Sequence, residues 1–149
     1  MESVKFITDY LSVEWQEIVT LYESVNWQAY TQDPLSLREA FKNSTYICLA
    51  IDTKEKDKVC GLVRCISDDV SIHYLQDVLI NPSFQRRGIG RTLIEMALRR
   101  FEHVRTHLLL TDDEPKQIDF YESLGYARTN VLKKVPLNTF VKMKNVKLS

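Results

Sequence analysis

Hydrophobic positions along the chain change their period several times, and each change marks a candidate element. Residues 4–7, Val-Lys-Phe-Ile, alternate apolar and polar as a short strand does. Trp15, Ile18, Val19, Leu21 and Tyr22 then recur at helical spacing. Residues 34–42 repeat that pattern, with Leu35, Leu37, Ala40 and Phe41 as the apolar side of a second short helix. Two β-branched or apolar runs follow, residues 45–51 and 59–66. The charged stretch 52–58 between them predicts a solvated hairpin loop joining adjacent antiparallel strands. Asp68-Asp69 marks a turn into a long strand over residues 70–80, which stops at Asn81-Pro82 because proline has no N–H to donate.

From residue 89 to residue 101 the set Ile89, Leu93, Ile94, Ala97, Leu98 and Phe101 follows helical periodicity, with Arg91, Glu95, Arg99 and Arg100 on the other side. Leu108-Leu109-Leu110 reads as a buried strand. Pro115 opens another helix as a first-turn residue and Gly125 closes it, while Asp113 and Glu114 suit the positive end of its dipole. Beyond it, short apolar segments at Val131-Leu132 and residues 140–143 predict one or two more strands. Five lysines and no acidic residue fall between Val131 and Ser149, the pattern of a guarded, solvated edge strand.

Composition narrows the class without choosing a function. A chain of 149 residues suits one domain spanning residues 1–149, and a domain of that size buries roughly 70% of its unfolded surface. With 44% hydrophobic and 27% charged residues it is not disordered, collagenous or membrane-spanning in type. Lys+Arg and Asp+Glu are both 20, so no general attraction to nucleic acid is expected. The amino terminus has no basic segment leading into an apolar run, and no stretch approaches the ~18 apolar residues of a membrane helix, so a cytoplasmic protein without a membrane partner is expected. Cys48, Cys60 and Cys65 are odd in number and lack CxxC spacing, which points to reduced packing residues. His73, His103 and His107 lack metal-ligand spacing, and no metal is expected.

The chemically informative stretch is residues 77–90, Asp-Val-Leu-Ile-Asn-Pro-Ser-Phe-Gln-Arg-Arg-Gly-Ile-Gly, a strand running through a glycine-containing turn into the amphipathic helix. Gly88 and Gly90 let the backbone approach a ligand closely, and the unpaired N–H groups of a helix start suit a pyrophosphate. Arg86, Arg87 and Arg91 add positive charge. A dinucleotide-binding reading fits poorly, because the third glycine of G-x-G-x-x-G would fall at Leu93 and the element does not open a βαβ unit. A Walker loop fails for want of Gly-Lys-Ser/Thr.

Gln85-Arg86-Arg87-Gly88-Ile89-Gly90 closely resembles the acetyl-CoA signature Q/R-x-x-G-x-G/A of the GNAT superfamily of N-acetyltransferases, and Ile80-Asn81-Pro82 resembles the hydrophobic-x-Pro that precedes it. Phe120-Tyr121-Glu122-Ser123-Leu124-Gly125-Tyr126 looks like that family's F-Y-x-x-x-G-F/Y. The resemblance is firm over residues 72–126 and says little about the carboxyl terminus. It implies an α/β (α+β) fold: a mixed, mainly antiparallel sheet flanked by helices, with a splayed parallel strand pair that receives pantetheine. It further implies that the backbone groups of Val78, Leu79 and Ile80 contact acetyl-pantetheine, whatever core role their side chains have. Arg86, Arg87, Gly88, Ile89, Gly90 and Arg91 would hold the pyrophosphate.

Acetylating an amine needs a neutral nucleophile, an oxyanion donor and a proton for the departing thiolate. A lysine-like amine of pKa near 10.4 is neutral about once in two thousand at pH 7, a cost of roughly 4 to 5 kcal/mol. The resemblance assigns the acid to Tyr121, whose phenol of pKa about 10 stays protonated near neutrality, and the oxyanion donor to a backbone N–H near Leu79. Positions that often carry Glu or His in relatives hold Tyr74 and Gln76 here. Asp77 is the catalytic candidate beside them, although strand alternation turns it to the opposite face unless a bulge re-aims it. A water chain, Tyr74 or an already neutral amine would also serve.

Glu114 stands where many relatives have a cofactor-contacting asparagine, so that contact is missing or altered. Asp112, Asp113 and Glu114 read as helix-start acids, with attraction of a cationic acceptor as the alternative. The resemblance places Trp15, Trp27 and Tyr30 in the region that covers the acceptor pocket, though Trp15 also shares the helical core stripe. The expected activity is transfer of the acetyl group of acetyl-CoA to a small-molecule or peptide primary amine in a ternary complex. The alternative is a non-catalytic acyl-CoA-binding regulator of the same fold. Homodimers are common among relatives, and nothing in the sequence demonstrates one.

Overall fold

The first strand and two of the three helices that follow it match the hydrophobic pattern in place and type. The computed structural model describes residues 3–55 and 58–149. Strand β1 (Val4–Ile7) leads through a short 3-10 turn at Tyr10–Ser12 into α1 (Trp15–Ser24), α2 (Gln28–Thr31) and α3 (Pro34–Lys42). The four-residue α2 is too short to leave a periodic trace in the sequence. Asp33 caps α3 by accepting from the Ser36 N–H, and Pro34 occupies the first turn, where its missing N–H costs nothing.

Three long strands follow: β2 (Tyr46–Asp52), β3 (Lys58–Ser67) and β4 (Ile72–Ile80). Lys56 and Asp57 of the expected hairpin loop lie outside the described residues. Asp68 builds the next turn by accepting from the N–H groups of Val70, Ser71 and Ile72, which delays the start of β4 to Ile72. Helix α4 (Ile89–Arg100) then leads to β5 (Thr106–Leu109). The sheet order is β1-β2-β3-β4-β5, antiparallel throughout except for the parallel pair β4 and β5. Helices flanking this mixed sheet complete the expected architecture.

One face of the sheet carries the main apolar cluster. Ile18, Leu21 and Tyr22 of α1, with Leu37 and Phe41 of α3, pack on Ile47, Leu49, Ile51, Val59, Leu62 and Leu79. Burying each large apolar side chain contributes on the order of 1.5–3 kcal/mol. Helix α4 covers the other face. There a Cβ on Gly61 would lie 2.9 Å from Ile80 and 3.2 Å from Ile89, so this glycine lets the start of α4 close onto β3 and β4. Cys48, Cys60 and Cys65 are free and buried, and burial raises Cys60 to about 11 and Cys65 to about 12, as expected of inert packing thiols.

Three expectations need correction. Leu35 does not join the apolar side of α3 but is 80% exposed. Strand β5 is the sheet edge, not a buried strand, with Leu108 and Leu110 exposed because only one side has a neighbour. In the last stretch, the described residues form no strand: a 3-10 turn occupies Thr129–Val131, and Phe140 is 90% exposed. Strands need a partner for their N–H and C=O groups, and apolar residues alone do not supply one.

The chain divides into two compact units, Met1–Leu110 and Thr111–Ser149. The second holds α5 (Pro115–Ser123), ended by Gly125 at φ +97. Among the described residues no helix is long and apolar enough to cross a membrane.

Candidate active site

The loop between β4 and α4 has the backbone shape of an anion cradle. Asn81 accepts from the Ser83 N–H and starts a 3-10 turn at Pro82–Phe84, and Phe84 buries its ring to anchor the loop. Arg86 and Gly88 then both adopt left-handed conformations, φ 64 and 77. Left-handed residues in such a turn swing consecutive N–H groups to one side, and the first-turn donors of α4 continue the row. No side chain caps α4, and its first turn contains no acidic residue. A solvated helix start ordinarily favours an acid there. This one presents Arg91, with exposed Arg86 and Arg87 beside it.

Nothing lies within 4 Å of a Cβ built on Gly88, so its glycine answers the positive φ and leaves space above the loop. At Gly90 a Cβ would make ordinary contact with Ile80 at 3.7 Å. The Arg87 guanidinium lies over the Phe84 ring at 5.0 Å and donates to Ser83 O at 3.4 Å, which orders a side chain on an exposed residue. Gly88, Gly90 and these arginines are the residues of this loop that could hold an anion such as a pyrophosphate.

The strand before the loop is open on one side. Pairing between β4 and β5 runs from Ile72 opposite Thr106 to Leu75 opposite Leu109 and ends there, while β4 continues to Ile80. The β5-facing backbone groups of the stretch containing Val78, Leu79 and Ile80 are therefore outside any strand ladder. Such groups can pair with the amides of an extended ligand arm.

A β-bulge sits at the head of this stretch. Arg64 pairs with Asp77, but its neighbour Cys65 pairs with Leu75, so Gln76 has no opposite residue. Adjacent β3 residues point to opposite faces, so Leu75 and Asp77 do too, although they are two residues apart. The irregularity that re-aims Asp77 is thus present, and it turns the side chain toward α1 and α2. There Asp77 is 2% exposed. Its Oδ2 accepts from Tyr22 Oη at 2.8 Å and from Arg64 Nε at 2.7 Å, and its Oδ1 accepts from Tyr30 Oη at 3.0 Å. Arg64 also donates to Ser44 Oγ at 3.1 Å, and its guanidinium lies over the rings of Phe41 and Tyr30.

Arg64 carries no motif in the sequence, and Tyr22 stands out there only as part of the apolar stripe of the first helix. The available signal was a guanidinium in the otherwise apolar run 59–66, which demands a buried counter-charge. Burial and the Asp77 carboxylate raise the pKa of Tyr22 and Tyr30, so both remain phenols at neutral pH. Burial also raises Tyr74, with Asp77 adding to the effect. Trp27 stands against Tyr30 at 6.0 Å, and Trp15 packs on Phe41 at 5.1 Å.

In the second unit, Tyr121 lies on α5 with the rings of Phe120 and Tyr126 at 5.1 and 6.0 Å. Burial pushes its phenol above the usual value. Glu114 occupies the N-cap position of α5 without a side-chain cap bond, and Asp112 and Asp113 are exposed. The expected capping role of Glu114 is therefore not realised as a hydrogen bond. Among the described residues no group of His, Cys, Asp and Glu could hold a metal.

An interrupted parallel strand pair, a bulge, and a donor-rich loop at a helix start characterise an α/β domain of the acyltransferase class. The profile of the Acetyltransferase (GNAT) family matches residues 12–126, and the chain belongs to that family. It is 29% identical over 133 residues to the uncharacterized N-acetyltransferase ycf52 of Pyropia yezoensis, an alignment covering 85% of this chain and 75% of the relative. An acetyltransferase of the GNAT family from Streptococcus pneumoniae TIGR4 superposes with TM-score 0.73 at 27% identity, over 95% of this chain and 97% of that one. The structure of the NatC complex bound to Gag peptide and CoA shares the fold, at TM-score 0.61 and 19% identity over 85% and 86% of the two chains.

Proposed function

We propose that this chain is an acetyl-CoA-dependent N-acetyltransferase that acetylates a primary amine by direct transfer in a ternary complex. The observation that carries this reading is the uncapped, acid-free start of α4 behind the left-handed turn at Arg86 and Gly88, beside the unladdered end of β4. Arg86, Arg87, Gly88, Ile89, Gly90 and Arg91 hold the pyrophosphate. The backbone of Val78, Leu79 and Ile80 aligns the pantetheine arm and supplies the oxyanion donor.

The neutral amine attacks the thioester carbonyl, a C–N bond forms, and the C–S bond breaks. The amine loses one proton and the thiolate gains one. On the F-Y-x-x-x-G-Y motif, that second proton is assigned to Tyr121. Its raised pKa keeps the phenol protonated at neutral pH and still able to donate to a thiolate of comparable basicity. The reading calls for a small-molecule or peptide amine, no metal, no nucleic acid and no membrane, in a reducing compartment such as the cytoplasm.

The test is incubation with acetyl-CoA and a panel of polyamines, amino acids, aminoglycosides, arylalkylamines and peptides, with acetylated products read by mass spectrometry. Product formation that falls at least about tenfold in Tyr121→Phe is expected, within the 10²- to 10⁴-fold range of positioned proton transfer or somewhat below it. Binding of acetyl-CoA without product on any amine would replace this reading with that of an acyl-CoA-binding regulator.

A further inference from the structure

The polar cluster behind the β4 bulge is built differently from a proton-accepting site. Asp77 is buried and meets Arg64 at 2.7 Å, and the guanidinium is itself buried. Both carboxylate oxygens already accept from protein donors, Oδ2 from Tyr22 and Arg64 and Oδ1 from Tyr30, so the carboxylate is occupied within the fold and not by an incoming amine. What the pair does is fix Tyr30. The phenol gives its proton to Asp77 Oδ1 at 3.0 Å and accepts from Gln76 Nε2 at 3.1 Å. A phenolic oxygen has two lone pairs, and with its proton and one lone pair committed, the other is held in a set direction.

Tyr30 is partly exposed and Gln76 is exposed. Gln76 is the bulge residue itself, two positions before Val78. Tyr30 and Gln76 thus form a neutral, oriented polar pair at the mouth of the unladdered end of β4. The net charge behind them is already cancelled by Arg64 and Asp77. A neutral hydrogen-bond acceptor suits an uncharged amine, because an uncompensated carboxylate would hold the ammonium form and oppose attack.

We infer that Tyr30 and Gln76 contact the acceptor amine, with Tyr30 Oη accepting one of its N–H groups, and that Asp77 and Arg64 are positioning residues that aim Tyr30. Asp77 then takes no proton during turnover, and the proton the amine loses passes to solvent water. This inference rests on the acetyltransferase reading.

The test uses the full chain with the best amine from the panel and measures KM for that amine, KM for acetyl-CoA, and the pH profile of kcat/KM. Tyr30→Phe is expected to raise the amine KM by about fivefold or more, the weight of one hydrogen bond, while the acetyl-CoA KM stays within about twofold. Gln76→Leu is expected to raise the amine KM in the same direction. Asp77→Asn is expected to match Tyr30→Phe and to keep the acidic limb of the wild-type profile.

An amine KM unchanged in Tyr30→Phe overturns the inference. So does loss of the acidic limb in Asp77→Asn with a fall in kcat of about 100-fold or more, which would make Asp77 the base. If Asp77→Asn does not fold, as judged by circular dichroism, the split between the two KM values in Tyr30→Phe and Gln76→Leu decides. A wild-type protein that binds acetyl-CoA and acetylates nothing fails differently, because it overturns the acetyltransferase reading before any variant is compared.

Discussion

At the scale of single residues, Arg64 shows how a charge in an apolar strand governs its surroundings. Its guanidinium is placed by Asp77, Ser44 and the rings of Phe41 and Tyr30, all distant in sequence. Arg64→Met leaves Asp77 buried without its counter-charge and is expected to cost about 3–5 kcal/mol in urea unfolding. Arg64→Met combined with Asp77→Leu removes both charges, and most of that loss should return. A double variant as unstable as the single one would show that the pair contributes more than mutual neutralisation. The apolar run around Arg64 was plain in the sequence, but the identity of its partner was not. Asp77 shares its face only because Gln76 bulges, and alternation alone argues the reverse.

At the scale of elements, the β4-β5 pair carries a built-in sensitivity to acid. His73 and His107 are opposite one another in the parallel register, and their Nδ1 atoms are 2.9 Å apart, a distance that one shared proton can bridge. His73 is fully buried and stacked on Phe101. Burial, and then the neighbouring His107, lower its pKa to about 4 from an ordinary 6.5. Above pH 6.5 both folded and unfolded chains hold it neutral, so this contribution to stability is fully present. As pH falls from about 6.5 to about 4 the unfolded chain takes up the proton first, and about 3 kcal/mol is lost over that window.

Chemical denaturation across this range should show that slope, and His73→Phe, which keeps the stack on Phe101, should flatten it between pH 6.5 and 4.5. An equal slope in both proteins would assign the acid sensitivity elsewhere. The sequence shows the two histidines only as scattered residues. Parallel strands separated by a helix set their register through tertiary packing, which no local pattern encodes. By contrast the bounds of α3 and α4 were legible almost to the residue, because a 3.6-residue apolar stripe is a local signal.

At the scale of the whole molecule, the cradle on α4 predicts a thermal response. A ligand that binds only the folded chain stabilises it by about 2.7 kcal/mol at one hundred times Kd, which for a domain of this size raises Tm by roughly 5–10 °C. CoA is expected to produce such a shift, and pantetheine, which lacks the pyrophosphate, is expected to produce little at equal concentration. Arg86→Ala with Arg87→Ala should cut the CoA shift without lowering the Tm of the free protein, since both side chains are exposed. Equal shifts with CoA and pantetheine would move the binding energy away from the loop.

The sequence by itself determined the order and type of the main elements as far as α5, apart from α2, together with the place of the glycine-containing loop 85–90 and the family. Those features depend on periodicity, capping and turn residues close together in the chain, where local physics and the final fold agree. Only the tertiary structure decided that Asp77 faces Tyr22, Tyr30 and Arg64, that β5 lies at an open edge, and that His73 meets His107. It also decided that the apolar residues after Tyr126 form no strand. Each of these depends on which distant segment supplies a hydrogen-bonding or charged partner, and that choice is made by packing the whole sheet.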